Sequence, residues 1–421
     1  MKKMKDLPYY IGLKVKIYPS DEQKRLIAMN DGAKRAVYNH LVACGNEKYR
    51  LSKAAGSVPA YQGRLDYLKS VTGEVCNIKN AMPFLYGDDV DEQAIANAVQ
   101  NYHVAWKNMK ELHRGVPVFK KKSSEQSYQT NAHYYRHDTK AGHNSNVWFL
   151  DGHHVTLPKL GRVRFDGSPE EVSEMIRRQE AQEVRIGAIT ISRDAVGEYW
   201  ASFQVGSETP FREVFPQTGS MQGIDLNILE LVVDSNGNML ENPKFLKKSL
   251  KKLAKAQRKL SRMAEHAKKD DRPLSECRNY QEQRQKVAYL NRKIARQRED
   301  YLHAYSRHEV ESQDLIAAEN LKVSSLKRNH KLARAISDAG WRKLLTMLQY
   351  KAKMYGKVVI LVPPKNTTQT CSVCGHVMSG DQKLTLADRE WDCPACHTHH
   401  NRDVNAARNI LKRGLEAAMQ P

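Results

Sequence analysis

Residues 10–19, Tyr-Ile-Gly-Leu-Lys-Val-Lys-Ile-Tyr-Pro, alternate apolar and polar side chains, which is the period of a strand with one buried face, and Pro19 stops it. Ser20-Asp21-Glu22-Gln23 reads as a helix start with acids in its first turn, and Leu26, Ile27, Ala33, Val37, Tyr38 and Leu41 then recur at helical spacing. Residues 51–90 are mixed and contain Gly and Pro, and no period is legible in them. Helical spacing returns over 91–112, with Ile95, Val99, Tyr102, Ala105, Trp106 and Met109 on one face. From 116 to 205 the pattern turns to short strands at 147–150, 155–157, 188–191 and 200–203, separated by turn residues. Together with the first strand these predict a small β-barrel with helices inserted early.

A linker with Pro and Gly at 210–220 precedes the second half. Residues 223–240 predict two strands joined at the turn Asp234-Ser235-Asn236-Gly237. Two long helices follow, split by Asp270-Asp271-Arg272-Pro273. Next come a strand ending at Glu319, a helix from about Asp338 to Tyr355, an apolar strand at 358–362 and a helix opening at Asp403. Hairpin, helices, strand, helix, strand and final helix is the order of an RNase H-like domain. The fold class expected is α/β and multidomain, with neither internal repeats nor a low-complexity tail.

Composition narrows the partners. The chain has 421 residues, enough for two or three domains, and 68 Lys and Arg against 47 acids give it a net charge of +21. That excess favours a polyanion, of which nucleic acid is the commonest. No run approaches the ~18 apolar residues of a membrane span, and the first ten residues lack the apolar core of a secretory signal. Seven cysteines cannot all pair, and four of them form two tight C-x-x-C pairs. The expected compartment is reducing cytosol.

Three acids stand where chemistry is expected. Asp225 closes Gly223-Ile224-Asp225, Glu319 ends Leu315-Ile316-Ala317-Ala318-Glu319, and Asp403 opens Asp403-Val404-Asn405-Ala406-Ala407-Arg408-Asn409-Ile410. Taken singly, each has a plainer reading as a turn residue, a solvent-facing acid or a helix N-terminal acid. A carboxylate directly after a buried strand is costly unless a cation meets it. Three converging on one sheet edge would hold two Mg²⁺ or Mn²⁺ ions on oxygen donors, the arrangement needed to hydrolyse a phosphodiester. Asp225 is the candidate bridge between the ions, Glu319 and Asp403 complete one side each, and a metal-bound water attacks.

Cys371-x-x-Cys374 and Cys393-x-x-Cys396 are separated by 18 residues, a four-cysteine zinc ribbon spacing. Four thiolates leave no open position, so one structural Zn²⁺ is expected, and His376, His397, His399 and His400 are not needed as ligands. Between Lys244 and Arg298 there are 19 Lys and Arg but 5 acids. Leu250, Leu253 and Leu260, then Val287, Leu290 and Ile294, give these helices apolar seams that turn Lys247, Lys248, Lys251, Lys252, Lys255 and Arg258 outward to phosphates. Lys120, Lys121, Lys122 and Tyr128 are candidates to grip a nucleic-acid backbone and touch bases, while Gln93, Asn97 and Gln100 are candidates to read base edges from an inserted helix.

Gly223-Ile224-Asp225, Ala318-Glu319-Asn320-Leu321, Thr370-Cys371-Ser372-x-Cys374-Gly375-His376 and the run opening at Asp403 resemble the TnpB family of RNA-guided nucleases from bacterial insertion sequences. Lys14-Val15-Lys16-Ile17-Tyr18-Pro19, Leu157-Pro158-Lys159-Leu160-Gly161 and Ile189-Thr190-Ile191-Ser192-Arg193-Asp194 extend the resemblance along most of the chain. It implies a wedge-like β-barrel whose first strand lies in 1–20 and whose remainder lies in 116–218. A helical recognition region would fill 21–115. A RuvC-like nuclease domain would occupy 219–365, with its basic helical pair at 244–313, a zinc ribbon at 366–400 and a final helix and tail at 401–421. The implied partners are a guide RNA copied from the element's end and double-stranded DNA beside a short adjacent motif, met as a monomer at the prokaryotic nucleoid. Cleavage would leave a 5′-phosphate and a 3′-hydroxyl. One position departs from the family: Asn227 stands where glycine usually follows Gly-Ile-Asp-Leu, and is expected to tolerate a left-handed turn. A compact type V CRISPR effector, a strand-joining transposase and an RNA-guided DNA-binding repressor are the competing readings.

Overall fold

The computed structural model describes residues 3–54, 61–73, 75–123, 125–133, 146–385 and 387–419, so 55–60 and 74 of the stretch without a legible period lie outside it. The chain forms two compact units, Met1–Phe211 and Arg212–Pro421.

In the first unit, β1 (Tyr9–Tyr18) buries Leu13, Val15 and Ile17 on one face, as its alternation requires. α1 (Asp21–Ala54) starts with a capping box: Gln23 N–H donates to Ser20 Oγ, and Ser20 N–H donates to the Gln23 side chain. α2 (Gln62–Gly73) and α3 (Val75–Ala81) occupy the stretch whose period was illegible, each too short to repeat an apolar spacing. α4 (Glu92–Glu111), capped by the Asp91 side chain, packs Ile95, Val99 and Tyr102 against Val37 and Leu41 of α1.

The sheet adds β2 (Gln126–Asn131), β3 (Trp148–Asp151), β4 (His154–Leu157), β5 (Gly161–Asp166), β6 (Val184–Arg193) and β7 (Tyr199–Ser207), in the order β2-β6-β7-β1-β5-β4-β3. α5 (Pro169–Glu180), which the strand-like pattern hid, lies between β5 and β6. The sheet does not close into the expected barrel: among the described residues β2 and β3 are its edges and do not pair with each other. Amide side chains meet the edge groups instead. Asn97 of α4 donates to Gln129 O of β2 at 3.0 Å, and Gln179 of α5 accepts from Phe149 N–H of β3 at 3.2 Å. Phe149, Phe165 and Phe203 fill the core beneath.

The second unit opens with β8 (Met221–Leu226), β9 (Glu230–Asp234) and β10 (Met239–Glu241), three strands where two were expected. The extra break is made by Asn227, whose Oδ1 accepts from the N–H groups of Ile228 and Leu229. α6 (Phe245–Lys269) and α7 (Arg278–Ser312) form the basic hairpin, followed by β11 (Leu315–Glu319) and the short α8 (Val323–Leu326). The helix expected from about Asp338 to Tyr355 is α10 (Trp341–Tyr355), and an unexpected α9 (His330–Ala339) precedes it across a break at Gly340 with φ 73°. β12 (Val358–Val362), a small ribbon with β13 (Glu390–Asp392) and β14 (His399–Asn401), and α11 (Arg402–Ala418) complete the unit.

Its main sheet runs β10-β9-β8-β11-β12, with β8, β9 and β10 antiparallel in sequence and β8, β11 and β12 parallel. Ile224, Ile316 and Ala318 pack on one face with Leu302 and Val310 of α7 and Leu344 and Leu348 of α10. Leu315, Ala317 and Val362 pack with Ile410 of α11.

Candidate active site

β8 and β11 run parallel with Gly223 opposite Ala317 and Ile224 opposite Ala318. The next rung sets Asp225 beside Glu319, on strands ~4.8 Å apart and on the α11 side of the sheet. α11 lies close against this face because two positions lack a side chain. A Cβ at Gly223 would sit 2.1 Å from Ala407 O and 2.7 Å from Leu411 N, and one at Gly414 would sit 2.5 Å from Ala317 Cβ. Asp403 is one turn before Ala407, ~6 Å of helical rise, and Asp225 is two strand residues beyond Gly223, ~6.6 Å. These matched lengths bring Asp225, Glu319 and Asp403 to one end of the sheet, where they are 9%, 7% and 9% exposed.

Burial first, then the neighbouring Glu319 and Asp403, push the Asp225 carboxyl up to about 8, and Arg402 opposes the shift. Burial raises Glu319 as well, against a hydrogen bond from the Thr367 hydroxyl to its Oε1. Asp403 is held differently. Its Oδ2 accepts from Asn227 Nδ2 and Arg389, each at 2.7 Å, and its Oδ1 from Arg402 at 3.3 Å. Asp225 and Glu319 are buried with no Lys or Arg hydrogen-bonded to either among the described residues, and with Asp403 they offer oxygen donors that fit a hard divalent cation.

Supports around the acids lie beyond what the sequence reading singled out. Asn401 caps α11 by accepting from Asp403 N–H and Val404 N–H, each at 3.1 Å. Arg413 donates to Pro363 O and Lys365 O, pinning the loop that delivers Thr367. Asn405 and Asn409 had a signal, since both fall in the motif that opens at Asp403; Thr367 and Arg389 had none. Asn227 is not left-handed as expected: its φ is not positive, and it serves through its side chain on the turn and on Asp403.

Cys371, Cys374, Cys393 and Cys396 present sulfurs all within 4.8 Å of one another, the one such His/Cys/Asp/Glu group among the described residues, and could hold a metal. Cys371 and Cys393 are buried and Cys374 is exposed. His400 is outside the ligand set but its Nε2 lies 3.1 Å from Cys371 Sγ, and Trp391 packs on its ring. His399 pairs instead with Asp392 at 2.8 Å.

The nucleic-acid candidates divide. Lys247, Lys248, Lys251, Lys252, Lys255 and Arg258 are exposed on α6, whose first turn is anchored by Asp338 accepting from Leu246 N–H and Lys247 N–H. Lys121, Lys122 and Gln100 are exposed, and Lys120 lies with its ammonium 3.8 Å from the Tyr38 ring centroid. Tyr128 is 1% exposed and sits in the core, because β2 alternation turns it inward, so it cannot stack on a base. Asn97 is likewise committed to the β2 edge, and Gln93 accepts from Asn131. No helix among the described residues is long and apolar enough to cross a membrane.

Over 96% of this chain and 98% of the other, the fold matches a protein chain in the cryo-EM structure of a Cas12f1–sgRNA–target DNA complex, with a TM-score of 0.55 at 12% identity. Three family models match: "Cas12f1-like, TNB domain" at 341–410, "Probable transposase" at 202–330 and "Helix-turn-helix domain" at 9–53, the last spanning β1 and most of α1. A Streptomyces pristinaespiralis protein named "Putative RNA-guided DNA endonuclease" is 30% identical over 97% of this chain and 90% of its own length. Its Escherichia coli K12 counterpart InsQ, given the same description, is 28% identical over 96% and 92%. The CRISPR-associated endodeoxyribonuclease Cas12f1 of Sulfoacidibacillus thermotolerans is 31% identical over 30% of this chain and 29% of its own. The chain belongs to the TnpB family, the OrfB proteins of IS605-type elements.

Proposed function

We propose that this protein is an RNA-guided DNA endonuclease that cuts double-stranded DNA beside a short adjacent motif, using a guide RNA copied from its transposable element. The observation that carries the reading is the meeting of Asp225, Glu319 and Asp403 at one sheet end, in a chain related along its length to proteins described as RNA-guided DNA endonucleases. The strand order β10-β9-β8-β11-β12, three antiparallel then two parallel, supports a RuvC-type, RNase H-like nuclease domain. The wedge, recognition and ribbon assignments, and action at the prokaryotic nucleoid, belong to the same reading.

Asp225, Glu319 and Asp403 would hold two Mg²⁺ or Mn²⁺ ions. When bound, these supply an activated water and hold the attacking and leaving oxygens of the diester. Asp225, whose carboxyl feels both Glu319 and Asp403, would help to hold both ions. Asn227, Arg389 and Arg402 orient Asp403, and Thr367 orients Glu319. The four cysteines would hold one structural Zn²⁺. The exposed cations of α6 would contact phosphates, while base pairing with the guide reads sequence and protein–backbone contacts tip a nearly balanced strand exchange.

The local likeness to Cas12f1 keeps a compact type V effector with a repeat-derived guide as the second reading. Sequencing the RNA that copurifies from the native locus separates the two. A guide matching DNA beside an insertion element supports the first, a CRISPR repeat the second, and no discrete RNA overturns both. Asp225→Ala should abolish cleavage while RNA binding persists; retained cleavage removes Asp225 from the site, and a catalytically inert wild type leaves an RNA-guided DNA-binding repressor.

A further inference from the structure

The loop that carries Cys371 is bonded to the elements that carry the acids. Thr370 O accepts from Asn405 Nδ2 at 2.8 Å and from Asn409 Nδ2 at 2.6 Å. On the other side of Cys371, Ser372 N–H donates to Asn405 Oδ1 at 2.8 Å. Asn409 Nδ2 also reaches Thr367 O at 2.9 Å, and Thr367, 2% exposed, gives its hydroxyl to Glu319. His400, against Cys371 Sγ, directly precedes Asn401, the residue that caps the helix of Asp403.

We propose that Thr367 and Asn409 are positioning residues that couple metal binding at the four cysteines to divalent-ion binding at Glu319 and Asp403; this rests on the nuclease reading above. A metal on the four sulfurs, which lie within 4.8 Å of one another, would tie the Cys371 loop to Cys393 and Cys396; without it the thiols take up protons and those bonds are gone. Losing that cation frees Cys371, and with it the Thr370 and Ser372 groups on which Asn405 and Asn409 depend. Thr367 then no longer fixes Glu319 at its rung, and ion binding must order the carboxylate itself. Because coupling between two binding sites is reciprocal, divalent ions should tighten zinc retention by the same factor.

The test uses the full chain, with Mn²⁺ binding read by electron paramagnetic resonance and zinc by elemental analysis. Thr367→Val keeps the shape and removes the hydroxyl; Thr367→Ser keeps the hydroxyl. We expect Mn²⁺ affinity to fall about tenfold in Thr367→Val, to be restored in Thr367→Ser, and zinc to stay at one per chain in both. Chelating zinc from the wild type should weaken Mn²⁺ by a similar factor and add little to Thr367→Val. Unchanged Mn²⁺ affinity in Thr367→Val, or after zinc removal, overturns the coupling. Asp225→Asn is the control: if it too binds Mn²⁺ normally, the nuclease reading fails rather than the coupling alone.

Discussion

Removing the charge of Asp225 should stabilise the ion-free protein, although it should destroy the catalyst. The carboxyl is raised from 3.8 to about 8, so the fold favours its protonated form. That preference helps fully below pH 3.8 and is lost as pH rises through 8, the reverse of a salt-bridged carboxylate. At 1.36 kcal/mol per unit, the shift amounts to roughly 6 kcal/mol as an upper bound, and relaxation around the site should leave about 2–5 kcal/mol at pH 8. For a unit of this size each kcal/mol moves the melting temperature by ~2–4 °C. Asp225→Asn should therefore melt about 5–15 °C higher than wild type at pH 8 in chelator, with the gap closing towards pH 4. Mg²⁺ should raise the wild type at pH 8 and leave the variant nearly unmoved. Scanning calorimetry at three pH values, with and without Mg²⁺, decides it. A variant no more stable than wild type at pH 8 would refute the electrostatic account of the site.

Gly223→Ala should cost about 3 kcal/mol and suppress cleavage, because its Cβ would meet the backbone oxygen of Ala407 and lift the helix of Asp403; wild-type melting and activity would count against the close packing. Cys393→Ser should lose zinc and lower the stability of the second unit, and a full zinc complement in the variant would contradict a four-thiolate site. Replacing Lys247 and Lys251 together with alanine should cut the salt dependence of nucleic-acid affinity by about two phosphate contacts, without changing sequence preference. Tyr128→Phe should leave that affinity unchanged and stability within about 1 kcal/mol, since the hydroxyl it removes is buried and unbonded; lost binding would restore Tyr128 as a contact.

The second unit was the more legible in sequence because its elements carry a single long period or a single dense motif. The seam through Leu250, Leu253 and Leu260, the apolar run ending at Glu319 and the pair Pro363-Pro364 each mark a boundary locally. Gly340 was a weaker mark, since a lone glycine within a helical pattern does not reveal a positive φ. The first unit misled where local pattern and burial part company. Gln126-Ser127-Tyr128-Gln129-Thr130 looks like a polar contact loop, yet it is an edge strand whose two buried members are Tyr128 and Thr130. Pro169–Glu180 was lost among short strands although Pro at its start and acids in its first turn announce a helix. Whether a curved sheet closes depends on which partner meets the last edge, and Asn97 and Gln179 gave no sign of that role. At the site, the three acids declared themselves by following apolar strands or opening a helix. Thr367 could not, because its importance comes from a hydrogen bond to a residue 48 positions away.

The three acids also have an order in time. A ribosome delivers the strand of Asp225 first, then that of Glu319, and Asp403 only after the cysteine ribbon has been made. The face of Gly223 against which Ala407 must lie therefore waits, bare, through the synthesis of the 183 residues between them. A half-made chain carries its basic hairpin before it owns a complete set of carboxylates. On this schedule the set of carboxylates is completed only by the last helix of the second unit.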